Sequence, residues 1–91
     1  MAIAMIFDTP GVTQAQYDQV HDAVTPDNRP PPGLLYHVAG PTENGFCVVE
    51  VWESQDAAST FFQEKLGQAL QQAGITAPPR VFHVHNTMQA R

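Results

Sequence analysis

The fold of this chain of 91 residues is indicated most clearly by one segment, Phe46-Cys47-Val48-Val49-Glu50-Val51-Trp52. It is rich in β-branched and aromatic residues, which favour a β-strand. Side chains of a strand alternate between the two faces of its sheet, so the segment presents two sets. Phe46, Val48, Glu50 and Trp52 form the first set, and Cys47, Val49 and Val51 form the second. Apart from Glu50, both faces are apolar, and both therefore need to be covered.

The residues before this segment predict two strands with a helix between them. Residues 2–8 are apolar and partly β-branched, which predicts the first strand. Thr13 and Gln16 have the spacing of a capping box at the start of a helix, which ends at about Val24. A stiff proline-rich loop leads to a second strand over residues 34–39.

The residues after the segment predict a second helix and a last strand. Ser54 is a good N-cap, and an apolar stripe continues to Gly74, which has the position of a glycine that ends a helix. Residues 80–86 read as the last strand. The order β-α-β-β-α-β predicts one α+β domain over residues 1–91, ferredoxin-like, with a four-stranded antiparallel sheet and two helices on one face.

The apolar second face of the third strand predicts self-association. Two helices cover only one face of a four-stranded sheet, and a sheet with one solvated face should alternate apolar and polar residues. Val49 and Val51 do not follow that pattern. We therefore expect a second copy of the chain to cover the open face, giving a homodimer in the form of a dimeric α+β barrel.

Composition excludes several kinds of partner and site. Four Lys and Arg against nine Asp and Glu give a net charge of −5, which argues against nucleic-acid and anionic-membrane partners. The single cysteine, Cys47, excludes an intramolecular disulfide and a zinc site built from several cysteines. No run approaches the roughly 20 apolar residues of a membrane span and no signal peptide is visible, so the default expectation is a cytoplasmic protein.

One carboxylate and three histidines are the candidates for acid–base chemistry. Glu50 lies in an apolar strand and needs a partner; it is a candidate general base or acid, or a carboxylate that reaches solvent or pairs with a histidine. His83 and His85 share one face of the last strand, and His37 lies on another strand. These imidazoles suit proton transfer or substrate binding, although ordinary hydrogen-bonded histidines remain an alternative.

A metal site is a further possibility that the histidine pair raises. With Glu50, His83 and His85 form the donor set of a site with two histidines and one carboxylate, provided that all three lie on one side of the sheet. We nevertheless expect no bound metal.

The remaining candidates are substrate contacts. Trp52 is either a core residue or a ring that stacks on a flat ligand, and its indole N–H needs a partner. Tyr17 has the position of a hydrophobic-staple residue, whose hydroxyl is a candidate to reach a cleft. Asn86 is a candidate to bind a carbonyl, or makes a hydrogen bond at the strand end. His21 is expected at a solvent edge.

The element order, together with Val49-Glu50-Val51-Trp52-Glu53-Ser54 running directly into a helix, resembles the antibiotic biosynthesis monooxygenase family of the dimeric α+β barrel superfamily. Some members oxidise polyketide-like aromatic substrates with molecular oxygen and without metal or flavin, and others degrade haem. The resemblance implies a small-molecule substrate, no cofactor, and a cleft between sheet and helices that Glu50 and Trp52 face.

The haem-degrading members differ from this chain at two positions. They combine a strand tryptophan with an asparagine on the first strand and a histidine about ten positions after the tryptophan. Here Phe62 follows Trp52 by ten positions, and the first strand has no asparagine. Haem degradation is therefore disfavoured, and Phe62 is retained as an expected substrate contact.

The leading hypothesis from the sequence is a cofactor-independent monooxygenase acting on an apolar or aromatic molecule. Trp52 would stack on the ligand, while Glu50 and the histidines His37, His83 and His85 would handle protons. One alternative is a cyclase or aldol-type enzyme, which needs only the acid–base half of that chemistry. The other is a non-catalytic dimeric ligand-binding module.

The apolar second face leads to a prediction about mass in solution. Light scattering at micromolar concentration should give twice the chain mass of 10.0 kDa, because exposure of that face to water is unfavourable. A species of 10.0 kDa alone would exclude the dimeric barrel.

Overall fold

The structure is a computed structural model that describes residues 1–76 and 78–90. The strands are β1 (Ile3–Pro10), β2 (Leu34–Pro41), β3 (Gly45–Trp52) and β4 (Arg80–His83). The helices are α1 (Gln14–Val24), α2 (Gln55–Phe61) and α3 (Gly67–Ala73), and a π-helical turn (Phe62–Leu66) joins α2 to α3. With this continuous second helical segment, the predicted β-α-β-β-α-β order is confirmed.

The sheet places β3 in its interior. All neighbouring strands are antiparallel in the order β2-β3-β1-β4. Trp52 lies opposite Ile3 on one side and Leu34 on the other. Trp52, Ile3 and Ala58 of α2 form one buried cluster, so the helices cover the face that carries Trp52. The ferredoxin-like fold is confirmed.

The helix boundaries follow the capping residues that the sequence contains. The Thr13 hydroxyl accepts from the Gln16 backbone N–H, and the Gln16 side chain accepts from the Thr13 N–H, which completes the capping box. Ser54 caps α2 through the Ala57 N–H. Gly74 follows α3 in the left-handed region at φ 76°.

The last strand is shorter than the sequence predicts. It ends at His83 rather than at residue 86. Because β4 lies at an edge of the sheet and pairs only with β1, its ladder ends where β1 begins. Val84 adds one more bond by donating its N–H to the Ala2 carbonyl at 2.9 Å. His85 and Asn86 therefore lie beyond the strand.

The π-helical turn is a second departure from the prediction of one regular helix. The Gly67 N–H donates to the Phe62 carbonyl, five residues earlier. In a regular α-helix, the residue four positions after the inward-facing Phe61 would be Lys65. The extra residue of the π turn instead places Leu66 against the core. The turn thus keeps the apolar stripe continuous across a charged position.

The sheet face opposite the helices is apolar, as the sequence predicts. Tyr36, Val38 and Phe82 lie on it and are 60%, 47% and 55% exposed. By register, Tyr36 lies opposite Val51 and Val38 opposite Val49. These residues form a contiguous apolar patch on the single chain. Within residues 1–76 and 78–90, the helices are too short and too polar for any of them to span a bilayer.

Two glycines with similar backbone angles allow a matched test of packing at the proline-rich loop. Gly33 has φ +89°, and a Cβ there would lie 2.5 Å from the Ala57 Cβ; Gly11 has φ +80° with nothing within 4 Å. Gly11→Ala should lower the free energy of unfolding by about 1–2 kcal/mol, the cost of a left-handed L-residue. Gly33→Ala should lower it further, because it adds the clash.

Urea denaturation of both variants measures the difference. Equal losses for the two substitutions would show that the contact between the loop and α2 does not constrain the fold.

Candidate functional site

A cavity of about 390 Å³ lies between the helix-covered face of the sheet and the helices. That volume is within the range of small-molecule sites. Its lining is mostly apolar and comes from β1, α1, the proline-rich loop, β2, β3 and the second helical segment. The apolar residues include Phe7, Val20, Val24, Pro31, Leu34, Phe46, Val48, Phe61, Leu66 and Leu70, with Ile75 after α3. The polar residues that line the cavity include Tyr17, His21, His37 and Glu50.

A chain of hydrogen bonds connects four side chains at this cavity. The Trp52 indole N–H donates to Glu50 Oε1 at 3.1 Å. The other oxygen, Oε2, lies 2.9 Å from His37 Nδ1, and His37 Nε2 lies 2.7 Å from the Tyr17 hydroxyl. A carboxylate only accepts hydrogen bonds, so His37 donates from Nδ1. In the neutral imidazole, Nε2 then accepts the Tyr17 proton.

The sheet register explains why these side chains meet. His37 on β2 lies directly opposite Glu50 on β3. Trp52 follows Glu50 by two residues, so both point towards the helices. Tyr17 is in the first half of α1, where its ring stacks on Phe46 of β3 with centroids 5.0 Å apart. Three elements therefore hold the chain of bonds in place.

The exposure of the side chains changes along this series of hydrogen bonds, from Glu50 in the core to the rim of the cavity. The Glu50 side chain is 9% exposed and the His37 side chain 30%. A carboxylate so far removed from water is costly unless hydrogen bonds replace its hydration. Trp52 and His37 supply one donor to each oxygen. The imidazole thus connects a buried carboxylate to a more accessible phenol.

The environment of Tyr17 favours its protonated form. Burial raises the pKa of the Tyr17 phenol above its ordinary value of 10.0, and the negative charges of Glu50 and Asp18 raise it further. At neutral pH the phenol is therefore a hydrogen-bond donor and a potential acid. His37, with its Nδ1 proton held by Glu50, has the geometry of a complementary base, because a carboxylate stabilises an imidazolium that forms when Nε2 takes a proton.

Trp52 has a different position from the expected ring that stacks on a ligand. It is only 1% exposed, it packs in the core against Ile3 and Ala58, and it does not line the cavity. Its ring lies against Phe61, with centroids 5.5 Å apart. Its contribution to the site is the hydrogen bond that orients Glu50.

Four other predicted site residues are not brought to the cavity. His83 is on the edge strand β4, separated from β3 by β1, and lies opposite Ile3. His85 and Asn86 follow the end of that strand. Phe62 is in the π turn and is 46% exposed. Within residues 1–76 and 78–90, no group of three or more His, Cys, Asp or Glu side chains is arranged to hold a metal ion.

The structure also reveals a polar residue that the sequence interpretation placed elsewhere. His21 lines the cavity, and its ring stacks on Tyr17 with centroids 5.8 Å apart. The spacing contained this signal, because residues four apart in a helix share a face. His21 therefore belongs with Tyr17 rather than at a solvent edge.

Comparison with solved structures identifies proteins of the same fold. A protein from Chloroflexus aurantiacus J-10-fl, provisionally assigned as an antibiotic biosynthesis monooxygenase, superposes with a TM-score of 0.69 at 15% identity, covering 98% of both chains. SnoaB, a cofactor-independent oxygenase from Streptomyces nogalater, gives 0.63 at 18% identity, covering 98% of this chain and 96% of its own.

A third neighbour is a dimeric ferredoxin-like protein of unknown function from Thermobifida fusca YX. It gives a TM-score of 0.62 at 22% identity and covers 92% of both chains. No protein-family model and no curated protein sequence matches the chain. The resemblance drawn from the sequence is thus confirmed at the level of the fold.

The environment of Tyr17 predicts a measurable titration. The chain has two tyrosines, so a Tyr36→Phe background leaves Tyr17 as the only phenol to follow by ultraviolet absorption. Its pKa should lie above 10.0. Glu50→Gln should lower that pKa, because a negative charge is lost, yet leave it above 10.0, because burial is the larger cause.

A matched control and the stability of the protein extend this test. Glu64→Gln removes an exposed charge in the π turn and should leave the titration unchanged. Because folding raises the Tyr17 pKa, its contribution to stability is complete below pH 10.0 and is lost as pH rises through the folded-state value. A Tyr17 titration at or below 10.0 would contradict the described environment.

Proposed function

We propose that this protein is a cofactor-independent monooxygenase that acts on an apolar or aromatic small molecule in the cavity. The observation that carries the proposal is the bonded series Trp52–Glu50–His37–Tyr17, which brings an oriented base and a protonated phenol to an apolar cavity. The fold shared with SnoaB, a cofactor-independent oxygenase, supports the same kind of chemistry.

The first step of the proposed reaction is a proton transfer. A substrate with an acidic methylene displaces the Tyr17 hydroxyl from His37 and gives a proton to Nε2. Glu50 stabilises the imidazolium through its bond to Nδ1. The apolar lining favours the delocalised carbanion of an aromatic substrate over a localised charge, since localised charge is poorly solvated there.

The oxygen step needs no electron donor other than the substrate. The carbanion reduces O₂ and forms a carbon–oxygen bond; the peroxide that results takes a proton, and loss of water leaves a carbonyl. The overall change is R₂CH₂ + O₂ → R₂C=O + H₂O, in which the methylene carbon is oxidised and both oxygen atoms are reduced. Tyr17 is placed to supply the proton, because its raised pKa keeps it protonated.

The acid–base pair also supports a second candidate function. A cyclisation or aldol reaction requires a base to form a carbanion and an acid to protonate the alkoxide, and His37 and Tyr17 are those two groups. This candidate consumes no oxygen. A non-catalytic binding module needs the cavity but not the oriented histidine.

We also propose that the working form is a homodimer joined through the open sheet faces. The exposed Tyr36, Val38 and Phe82 support this arrangement, as does the fold shared with a dimeric ferredoxin-like protein. Val38→Glu would place a carboxylate on this patch and should shift the mass measured by light scattering to that of one chain. Glu43→Gln, a change at an exposed position of the β2–β3 turn, is the control.

The proposed function is tested by oxygen uptake with anthrone, an aromatic ketone with an acidic methylene. We expect one O₂ consumed per anthrone. His37→Gln should lower the rate by about 10²–10⁴-fold, the usual contribution of a general base. Glu50→Gln should also lower it, because it removes the negative charge that stabilises the imidazolium of His37.

His85→Gln is the matched comparison, since it changes a histidine beyond the end of β4. We expect it to retain the rate of the unsubstituted protein. A loss equal to that of His37→Gln would instead favour the His83 and His85 site. Turnover of substrate without oxygen uptake would favour the aldol-type reaction, and unchanged rates in every variant would exclude the acid–base mechanism.

A further inference from the structure

The cavity contains a second imidazole that the proposed mechanism does not use. His21 is on α1, one turn after Tyr17, and lines the cavity. Its Nδ1 atom lies 3.1 Å from the Thr25 hydroxyl oxygen, and the same oxygen lies 3.1 Å from the His21 backbone carbonyl. The same carbonyl also accepts the Thr25 backbone N–H at 2.8 Å.

The Thr25 hydroxyl has one proton for two neighbours. A carbonyl oxygen cannot donate, so the contact with the His21 carbonyl is favourable only if the hydroxyl proton points to it. The hydroxyl oxygen can then meet Nδ1 only as an acceptor. In this arrangement the neutral His21 ring is protonated at Nδ1, and Nε2 carries a lone pair. No residue within 1–76 and 78–90 makes a hydrogen bond to that Nε2 atom.

The two imidazoles of the cavity thus differ in the state of their Nε2 atoms. His37 holds its proton at Nδ1 through Glu50, and its Nε2 already accepts the Tyr17 hydroxyl. A His21 ring that donates from Nδ1 to Thr25 has an unused lone pair at Nε2. Both imidazoles are neighbours of the Tyr17 ring, whose centroid lies 6.2 Å from that of His37 and 5.8 Å from that of His21.

We propose that His21 is protonated at Nδ1 and that its Nε2 atom accepts a hydrogen bond from a hydroxyl group on the substrate, so that the cavity selects hydroxylated aromatic molecules. This inference rests on the proposed function, because it takes the cavity as the substrate site. The substrate hydroxyl binds at His21 Nε2, and the reacting carbon lies at His37 Nε2. An unsubstituted aromatic molecule leaves the His21 lone pair without a partner in an apolar cavity and binds less tightly.

The first experiment measures the preference for a hydroxyl by calorimetric titration. The ligands are 1-naphthol and 1-methoxynaphthalene, which share a ring system but differ in the ability to donate. We expect 1-naphthol to bind about tenfold more tightly, as one neutral hydrogen bond allows. His21→Phe keeps an aromatic ring beside Tyr17 and should reduce the ratio to about one, since no acceptor remains.

Variants of neighbouring residues separate this site from the Tyr17–His37 pair. Tyr17→Phe should retain the preference for 1-naphthol. Thr25→Val releases the proton from Nδ1 and should reduce the preference, while Thr25→Ser retains the hydroxyl and should restore it. Loss of the preference in Tyr17→Phe but not in His21→Phe would overturn the proposal, because the ligand hydroxyl would then bind to the Tyr17 hydroxyl.

A ligand-free measurement tests the underlying protonation state. Nitrogen-15 spectra of the imidazoles should show His21 protonated at Nδ1, and Thr25→Val should remove that signature from His21 while His37 keeps it. A His21 protonated at Nε2 would overturn the proposal. Equal binding of the two naphthalenes would overturn it but leave the cavity as an aromatic site, whereas binding of neither would contradict the proposed function itself.

Discussion

The removal of the Glu50 carboxylate from water is the constraint on which the rest of the site depends. A buried carboxylate requires donors for its oxygens, and leaving one unpaired costs about 1–3 kcal/mol or more. The two donors come from Trp52 on the same strand and from His37 on the neighbouring strand. Satisfying Glu50 therefore fixes the orientation of the indole and the tautomer of the imidazole. The tautomer in turn makes Tyr17 a donor to His37.

This dependence gives Trp52 a structural role and an indirect chemical one. Its ring fills the space between Ile3 and Ala58, and its N–H orients one oxygen of Glu50. The other oxygen, Oε2, then remains within hydrogen-bond distance of His37 Nδ1. In the proposed mechanism, Trp52 therefore affects proton transfer in a cavity that it does not line. The Glu50 carboxylate connects the core to the cavity.

The sequence predicted the parts of this arrangement that depend on local pattern. Strand alternation placed Glu50 and Trp52 on one face, and the capping box located the start of α1 at Thr13. Strand alternation also placed Val49 and Val51 on a second apolar face. These features depend on residues within a few positions of one another, so a single segment contains the information.

The parts that the sequence did not determine depend on how distant segments align. His37 meets Glu50 because of the β2–β3 register, and His83 stays away because β1 separates β4 from β3. Three similar histidine positions could not be distinguished without that strand order. The cavity position of His21 also required the docking of α1, although its spacing from Tyr17 indicated a shared face.

The π-helical turn couples the winding of the second helical segment to the shape of the cavity. A π turn contains one residue more than the α-helical turn it replaces. Removal of one residue between Phe62 and Leu66 would therefore place Leu66 four positions after Phe61 in a regular α-helix, with the same face towards the core. Regular α-helical winding with all residues present would instead rotate α3 by about 100° relative to α2, and Ala69 and Leu70 would turn away from α1. The winding of this turn thus determines which side chains line the cavity.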